Sequence, residues 1–187
     1  MMKETGKPAH QAPGAHAVDL QERLQYLTFL LGGEVFAIGI LVIKEIIEYG
    51  NVTTVPMMPG FVRGVINLRG SVVPVIDLGA RFGRKAVQQT RRTCIVIIEV
   101  DADGERQDVG VVVDAVNAVV EIASDQIEPA PAFGARIRSD FIQGMGKVAD
   151  KFVIILNADK VLSTDDVALL KGGESAWQDD TADAQAF

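Results

Sequence analysis

Residues 93–113, TCIVIIEVDADGERQDVGVVV, contain the pattern that decides the fold. Two runs rich in Val and Ile, at 93–100 and 109–113, flank a polar connector with Asp103-Gly104 at its tip. β-Branched residues favour the pleated, half-buried surface of a sheet, and an Asp-Gly dipeptide favours the tight turn of a hairpin. The stretch therefore predicts two antiparallel strands joined by a short turn.

The same kind of run recurs on both sides of this hairpin. A Gly32-Gly33-Glu34 turn separates runs at 26–31 and 35–40, which predicts a second hairpin. Further β-rich runs occupy residues 62–68, 71–78, 141–145 and 152–157. Pro74 lies inside one of them. Because proline donates no backbone hydrogen bond, we expect that strand to be an edge strand or to carry a bulge there.

A single segment near the C-terminus predicts a helix. Ser163 or Thr164 can cap it, Asp165 and Asp166 favour its N-terminal end, and Lys171-Gly172 ends it. Many short strands with one terminal helix indicate an all-β fold of barrels or a sandwich, and they exclude a doubly wound α/β fold.

The chain also resembles itself. Shifted by 73 positions, residues 36–48 overlay 109–121; shifted by 80, residues 61–64 overlay 141–144 and residues 72–77 overlay 152–157. Strands share composition, which is one explanation of the match. The other is a tandem pair of similar barrels of roughly 65–75 residues, too small to bury much apolar surface alone and so expected to share a core.

Composition and charge limit the function. The chain has 187 residues and a net charge of -7, and its pI of about 4.8 gives no electrostatic footprint for nucleic acid or an anionic membrane. No apolar run reaches the ~20 residues of a membrane span, and residues 1–17 lack the apolar stretch of a signal peptide. A cytoplasmic protein with flexible tails at 1–20 and 171–187 is expected.

The common catalytic and metal-binding motifs are missing. His10 and His16 both lie in the N-terminal tail, so the predicted folded part has no imidazole base for a Ser/His or Cys/His site. Cys94 is the only cysteine, which excludes an internal disulfide and a zinc cluster, and its apolar strand predicts a buried, inert thiol. We expect no catalytic residue, no metal and no cofactor.

Two resemblances to ligand loops fail on spacing. The run Asp101-Ala-Asp-Gly104 is similar to the start of a calcium loop, but its glycine comes two positions early. The run Gly144-Met-Gly-Lys147 lacks the first glycine of a P-loop, and the strand predicted from Phe152 leaves no room for the helix that a dinucleotide motif opens.

One enzymatic alternative remains open from the residues themselves. Carboxylates in the second half of the chain, at Asp114, Glu121, Asp125 and Glu128, are candidates to line a cleft as acid and base. Nothing in the sequence brings two of them together. A binding module is therefore the favoured interpretation, with a carboxylate enzyme as the alternative.

Seven short runs resemble a known family. They are IKEII at 43–47, TVP at 54–56, PGFVRGVINLRG at 59–70, VPVIDL at 73–78, GVVVD at 110–114, IEPAP at 127–131 and FIQGMG at 141–146. In this order they resemble CheW, the chemotaxis coupling protein, from about residue 24 to 170. The run GVINLRG at 64–70 is the most specific of them.

The resemblance implies an architecture and a role. The fold would be all-β, with two packed five-stranded SH3-like β-barrel subdomains and a short C-terminal helix. The CheW-like domain would occupy residues 21–170, with subdomains at roughly 35–90 and 91–160 and terminal segments crossing between them. The role would be that of a non-catalytic adaptor that binds the cytoplasmic tip of methyl-accepting chemoreceptors and the regulatory domain of the histidine kinase CheA.

The resemblance also implies binding residues. The family's receptor groove maps onto Ile43, Glu45, Gly64, Arg69, Cys94, Val116 and Val119. In the internal repeat Ile43 overlays Val116, so equivalent faces of two barrels are candidates to line one groove. The alternative for each aliphatic residue is a place in the core.

Glu45 and Arg69 are expected to form an ion pair that supports the receptor surface. Their partners in the repeat are Ala118 and Ala149, so the pair belongs to the first half only. Two separately solvated charges are the alternative.

A proline-rich loop is expected to contact CheA or another coupling protein. Glu128 and Phe133 in this loop resemble the family's ring-forming contact, with Phe133 as an aromatic anchor.

Overall fold

The structure is a computed structural model that describes residues 22–131 and 137–162. Its strands are β1 (Arg23–Leu31), β2 (Glu34–Gly39), β3 (Ile43–Glu48), β4 (Val62–Leu68), β5 (Ser71–Asp77), β6 (Cys94–Ala102), β7 (Glu105–Val113), β8 (Ala115–Ala123), β9 (Ile127–Glu128), β10 (Ile142–Val148) and β11 (Lys151–Leu156). Two short helices, α1 (Leu78–Arg81) and α2 (Ala158–Val161), and 3-10 turns at Ile40–Val42, Ser124–Gln126 and Ser139–Phe141 complete the described elements.

The strands form two sheets. Sheet 1 has the order β8-β1-β2-β11-β10-β9, and sheet 2 has the order β3-β6-β7-β5-β4. The predicted all-β class is confirmed. The predicted helix from residue 163 and both predicted tails lie outside the described residues, and the subdomain limits near residues 35, 90 and 160 stay a prediction.

Both predicted hairpins are present. The strands β1 and β2 pair antiparallel around Gly32 and Gly33, whose φ angles are 58° and 82°. The strands β6 and β7 pair around Asp103 and Gly104, whose φ angles are 55° and 80°. Two successive positive φ angles match the right-handed twist of the flanking strands, which is why Gly-Gly and Asp-Gly suit these positions.

The two sheets repeat one topology and exchange a strand with each other. In each sheet a hairpin (β1–β2 or β6–β7) pairs in parallel with the second strand of another hairpin (β10–β11 or β4–β5). After β2 the chain crosses from sheet 1 to sheet 2, where β3 pairs with β6; after β7 it crosses back, and β8 pairs with β1. One outer strand of each sheet, β8 in sheet 1 and β3 in sheet 2, is therefore supplied by the segment that follows the other sheet's hairpin.

A common apolar core joins the sheets. Phe29 and Phe36 of sheet 1 belong to the same buried cluster as Ile76 and Val111 of sheet 2, and all four are almost fully inaccessible. Neighbouring rings along Phe29, Phe36, Phe82 and Phe141 have centroids 6.1, 5.9 and 6.0 Å apart. Burial of each such ring contributes roughly 1.5–3 kcal/mol, so neither sheet is independent of this core. The predicted shared core is confirmed.

The strand β5 is an interior strand between β7 and β4, so the expectation that Pro74 lies in an edge strand was wrong. The alternative, a bulge, is met next to Pro74: the register of β4 on β5 shifts between Val62 and Gly64, opposite Ile76 and Val75. Pro74 faces Val65, whose backbone N–H and C=O are both bonded to Thr53, at 2.9 and 2.8 Å. The parallel pairing with β7 begins only at Val75. Since neither neighbour of Pro74 needs a donor, proline is tolerated inside the sheet.

A buried carboxylate anchors the connection after β5. Asp77 is 0% exposed, and its Oδ2 accepts hydrogen bonds from Arg63 Nε at 2.8 Å and from Val87 N at 2.9 Å. Its Oδ1 accepts from Ala80 N at 3.0 Å and so caps α1. Arg63 Nη2 also donates to the carbonyl of Val87. One side chain thus ties β4, α1 and the loop that leads to β6.

Replacing Asp77 with alanine should lower the free energy of unfolding by about 2–3 kcal/mol, because a cap and a partly buried ion pair are lost together. Asn157, its counterpart at a shift of 80 residues, accepts only from Lys160 N, at 3.3 Å. Asn157→Ala should therefore cost about 1 kcal/mol or less. Urea unfolding of both variants measures the difference, and equal losses would contradict the anchoring role.

Candidate partner-binding surface

Glu45 and Arg69 form the predicted pair. Glu45 lies in β3, and Arg69 lies in the turn between β4 and β5. Arg69 Nη1 and Nη2 donate to Glu45 Oε1 and Oε2 at 2.6 and 3.0 Å, which is a bidentate contact. The hydrogen bonds that Arg69 donates to Glu45 raise the pKa of Arg69 further above its usual range, so Arg69 stays cationic at every physiological pH.

The turn geometry places Arg69 on the surface. Arg69 has a φ of 52° and is followed by Gly70 with a φ of 87°. Asn67 Oδ1 accepts a hydrogen bond from Gly70 N at 2.9 Å, which closes this turn. The Arg69 side chain is 76% exposed and that of Glu45 is 25% exposed. The guanidinium of Arg69, held by a partly buried carboxylate, therefore faces solvent rather than the core.

The aliphatic members of the predicted set differ in exposure. Ile43, Cys94 and Val116 are half-buried and pack against the shared core, whereas Val119 is 51% exposed. The predicted burial of Cys94 is therefore only partial, and its Sγ donates to the carbonyl of Arg92 at 3.3 Å. The first three residues combine a core role with an exposed edge, while Val119 offers most of its surface to solvent.

Pairing brings the first half of the set together. The strand β3 pairs with β6 at Ile43↔Ile98 and Glu48↔Cys94, and Cys94 pairs on its other side with Val113. The chain crosses to β8 directly after Val113, and Val116 lies in that strand. Cys94 thus connects the strand of Glu45 with the crossover that leads to Val116. A single groove lined by both sheets stays a prediction.

Gly64 belongs to the set through its backbone. It is buried, has a φ of 143°, and lies where β4 shifts register against β5. A Cβ at this position would lie 2.0 Å from the carbonyl oxygen of Thr53. Gly64 therefore shapes the surface by letting the segment around Thr53 approach β4.

The predicted kinase-contact residues receive less support. Glu128 is exposed in β9, where it pairs with Met145 of β10. Phe133 lies outside the described residues. The contact assigned to this loop stays a prediction.

Two carboxylates of the enzymatic alternative, Asp114 and Glu121, are separated along one strand. Asp114 precedes β8 and bonds Gly32 N at 2.7 Å, while Glu121 lies near the other end, 4.0 Å from Arg23. Seven residues of strand span about 23 Å, so these two carboxylates cannot act on one bond. In residues 22–131 and 137–162 no three His, Cys, Asp or Glu side chains are grouped to hold a metal ion.

Sequence reasoning missed an ionic cluster on sheet 2. Lys44 Nζ lies 3.1 Å from Glu99 Oε2 and 2.7 Å from Asp108 Oδ1, and Arg106 Nη1 lies 3.0 Å from Glu99 Oε1. The register of β6 on β7 places Glu99 opposite Asp108, and Lys44 reaches both from the bulge in β3. Glu99, Arg106 and Asp108 lie on the hairpin that the sequence predicts, but Lys44 is distant in the sequence, so its place in the cluster depends on the pairing of β3 with β6.

Lys44→Met should raise the pKa of Glu99. The hydrogen bond from Lys44 is the main cause of the lowered pKa of this carboxyl, and Arg106 adds less. A lowered pKa in the folded state means that the stabilisation exists above the unfolded pKa and is lost as the pH falls through the folded pKa. NMR titration of the Glu99 side chain measures the change, and an unaltered midpoint would contradict the assignment.

Among the described residues, no helix combines the length and the apolar character needed to cross a bilayer. The sheets, their exchanged strands and the exposed ion pair define a mostly β domain whose candidate site is a surface.

Comparison with known proteins identifies the family. The CheW-like domain model matches residues 25–166 of the chain. The chemotaxis protein CheW of Klebsiella aerogenes is 36% identical over 146 residues, which cover 78% of this chain and 86% of that protein. The chain belongs to the CheW family of chemotaxis scaffold proteins.

Other relatives agree in sequence and in fold. The chemotaxis protein CheW of Helicobacter pylori is 34% identical over 152 residues, which cover 81% of this chain and 89% of that protein. The crystal structure of the scaffolding protein TtCheW from Thermoanaerobacter tengcongensis aligns with a TM-score of 0.68 at 32% identity, covering 76% of this chain and 94% of that one. The match in fold extends over most of the described residues.

Proposed function

We propose that the chain is a non-catalytic adaptor that couples methyl-accepting chemoreceptors to the histidine kinase CheA in receptor arrays. It acts in the cytoplasm and reaches the membrane only through its receptors. It has no cofactor and does not bind nucleic acid.

The observation that carries the proposal is the bidentate Glu45–Arg69 pair on the surface of sheet 2. An exposed ion pair contributes little to folding, so its well-defined geometry favours a role in recognition. Arginine held by one carboxylate retains further N–H donors for a partner. The half-buried Ile43 and Cys94, on β3 and on its neighbour β6, supply apolar contacts of the kind that receive a helix.

Residues of sheet 1 extend this surface. Val116 and Val119 lie on β8, the outer strand of sheet 1 that the chain enters after it leaves β7 of sheet 2. A receptor tip is a helical hairpin, and a surface with elements from both sheets offers it more contact area than one sheet does. Kinase binding is assigned to Glu128 and Phe133, residues outside the receptor-binding set, so that both partners can be held together.

Co-sedimentation with receptor-containing membranes and purified CheA tests the proposal. The chain should sediment with receptors alone, with more of the kinase present in the pellet when the chain is added. Failure to sediment with receptors, or kinase recruitment that does not depend on the chain, would contradict the coupling function.

A further inference from the structure

A cationic segment remains after the family's surface is assigned. Between Asp77 and Glu99 the sequence contains five basic residues and no acidic one, in a chain whose net charge is -7; they are Arg81, Arg84, Lys85, Arg91 and Arg92. Such a local excess of one sign needs a cause, because the chain as a whole is acidic.

The structure explains two of these charges internally. Arg81 donates to the carbonyl of Val161 at 3.0 Å, and its guanidinium lies 4.9 Å from the ring centres of Phe61 and Phe141. Arg84 forms an ion pair of 2.6 Å with Glu34. Arg91 and Arg92, by contrast, are exposed and form no ion pair with any residue in 22–131 or 137–162.

These two arginines border a pocket. Its volume is about 530 Å³, and it lies where the chain crosses from sheet 2 to sheet 1. Leu30 and Ala115, which pair across β1 and β8, supply its apolar part. The other lining residues are Gln88, Thr90, Arg91, Arg92 and Asp114. The pocket therefore combines aliphatic surface with a cationic rim.

The loop that carries the arginines is fixed by hydrogen bonds. Thr93 is 3% exposed; its hydroxyl accepts from Thr90 N at 2.8 Å and donates to the carbonyl of Gln88 at 3.0 Å. Thr90 Oγ1 in turn accepts from Arg92 N at 3.2 Å. Because backbone and threonine groups make this network, the arginine side chains take no part in holding the loop. They are presented at the rim and remain free to bind.

The pocket adjoins the proposed receptor surface at Cys94. Cys94 follows Arg92 by two residues, and its Sγ donates a hydrogen bond to the Arg92 carbonyl at 3.3 Å. Val116 follows Ala115 in β8 and so points to the opposite face of that strand. A helix that contacts Cys94 would therefore lie beside the arginine rim of this pocket. Asp114, with one oxygen bonded to Gly32 N, lies in the pocket as well, so an anionic group must bind on the arginine side.

We infer that Arg91 and Arg92 bind an acidic side chain carried by the receptor's helical hairpin, with the neighbouring apolar residue of that helix against Leu30 and Ala115. This inference rests on the proposed function. Guanidinium groups match carboxylates with bidentate geometry, and two that form no ion pair within residues 22–131 and 137–162 attract an acidic helix before contact is made. The site would thus select receptors whose tip carries an acid at this point.

The test compares charge reversals on the same segment. The double variant Arg91→Glu, Arg92→Glu should weaken binding of a soluble receptor cytoplasmic fragment by about tenfold or more in isothermal titration calorimetry. The remaining binding should also depend less on salt concentration. Lys85→Glu, an exposed charge of the same segment outside the pocket, should leave the affinity unchanged. If a thermal melt shows that the charge-reversal variant is unfolded, the milder double variant Arg91→Gln, Arg92→Gln takes its place in the binding measurement.

The possible results distinguish a failure of the pocket inference from a failure of the proposed adaptor function. Wild-type affinity in both double variants would overturn the pocket inference and leave the adaptor function standing. An equal loss with Lys85→Glu would also overturn it, because that loss reflects overall charge. If the double variant lost CheA binding and kept receptor binding, the pocket would belong to the kinase and the inference would be wrong. If the unaltered chain bound no receptor fragment, the proposed function would fail first.

Discussion

Replacing Arg69 with glutamate should abolish binding to a receptor cytoplasmic fragment while the protein stays folded. The variant places two carboxylates where the structure has a bidentate ion pair with N–O distances of 2.6 and 3.0 Å. Like charges at that distance repel, so Glu45 and the new glutamate would separate and the surface would change both shape and sign. Because the substituted side chain, Arg69, is 76% exposed, stability should change by about 1 kcal/mol or less.

Two further variants make this experiment decisive. Arg106→Glu reverses another exposed arginine in an ion pair on sheet 2, 3.0 Å from Glu99, and should leave receptor binding intact. The swapped double variant Glu45→Arg, Arg69→Glu restores an ion pair and should recover part of the affinity. Receptor pull-down with a thermal melt on each variant gives the answer. Unchanged capture of the receptor by Arg69→Glu would remove the assigned role.

Gly64→Ala should be the most destabilising single methyl addition in the described part of the chain, lowering the free energy of unfolding by about 4 kcal/mol. The new Cβ would lie 2.0 Å from the carbonyl oxygen of Thr53 and 2.7 Å from its carbonyl carbon. A backbone oxygen cannot rotate away as a flexible side chain can. The φ of 143° adds strain of its own, because only glycine adopts it readily.

The internal repeat supplies the matched control. Gly144, the counterpart of Gly64 at a shift of 80 residues, would bring a Cβ to 2.7 Å from Ile127 Cγ2 and 3.0 Å from the carbonyl oxygen of Glu128. A side-chain methyl can move, so Gly144→Ala should cost only about 1–2 kcal/mol. Urea midpoints of the two variants measure the gap. Equal costs would show that the Thr53 segment yields easily and that Gly64 has no special role in shaping the surface.

Much of the fold could be predicted because its signals are local. Runs of Val and Ile mark strands, and Gly32-Gly33 and Asp103-Gly104 mark turns, through preferences that act within a few residues. The local signal of Pro74 also led to the expectation of an edge strand, whereas β5 is an interior strand. Whether a proline is tolerated depends on what its neighbours in the sheet need, and the bonds between Val65 and Thr53 are invisible without the strand order.

The candidate site was also predictable only in part. The Glu45–Arg69 pair was expected from a family resemblance, since 24 positions of sequence separate the two residues and no periodicity joins them. The cluster around Lys44 and the pocket beside Arg92 were not expected. Both depend on which strands become neighbours and on where the chain crosses between sheets, and these are properties of topology rather than of any short window.

The exchange of strands between the sheets also has a kinetic meaning. Thr28 on β1 hydrogen-bonds the carbonyl of Ala118 on β8 at 2.8 Å, across 90 positions of sequence. Sheet 1 is therefore incomplete until most of the polypeptide has been synthesised, and closing such a long loop slows folding. Each half of the chain therefore lacks one outer strand of its own sheet, and we expect neither half to fold as a self-sufficient module.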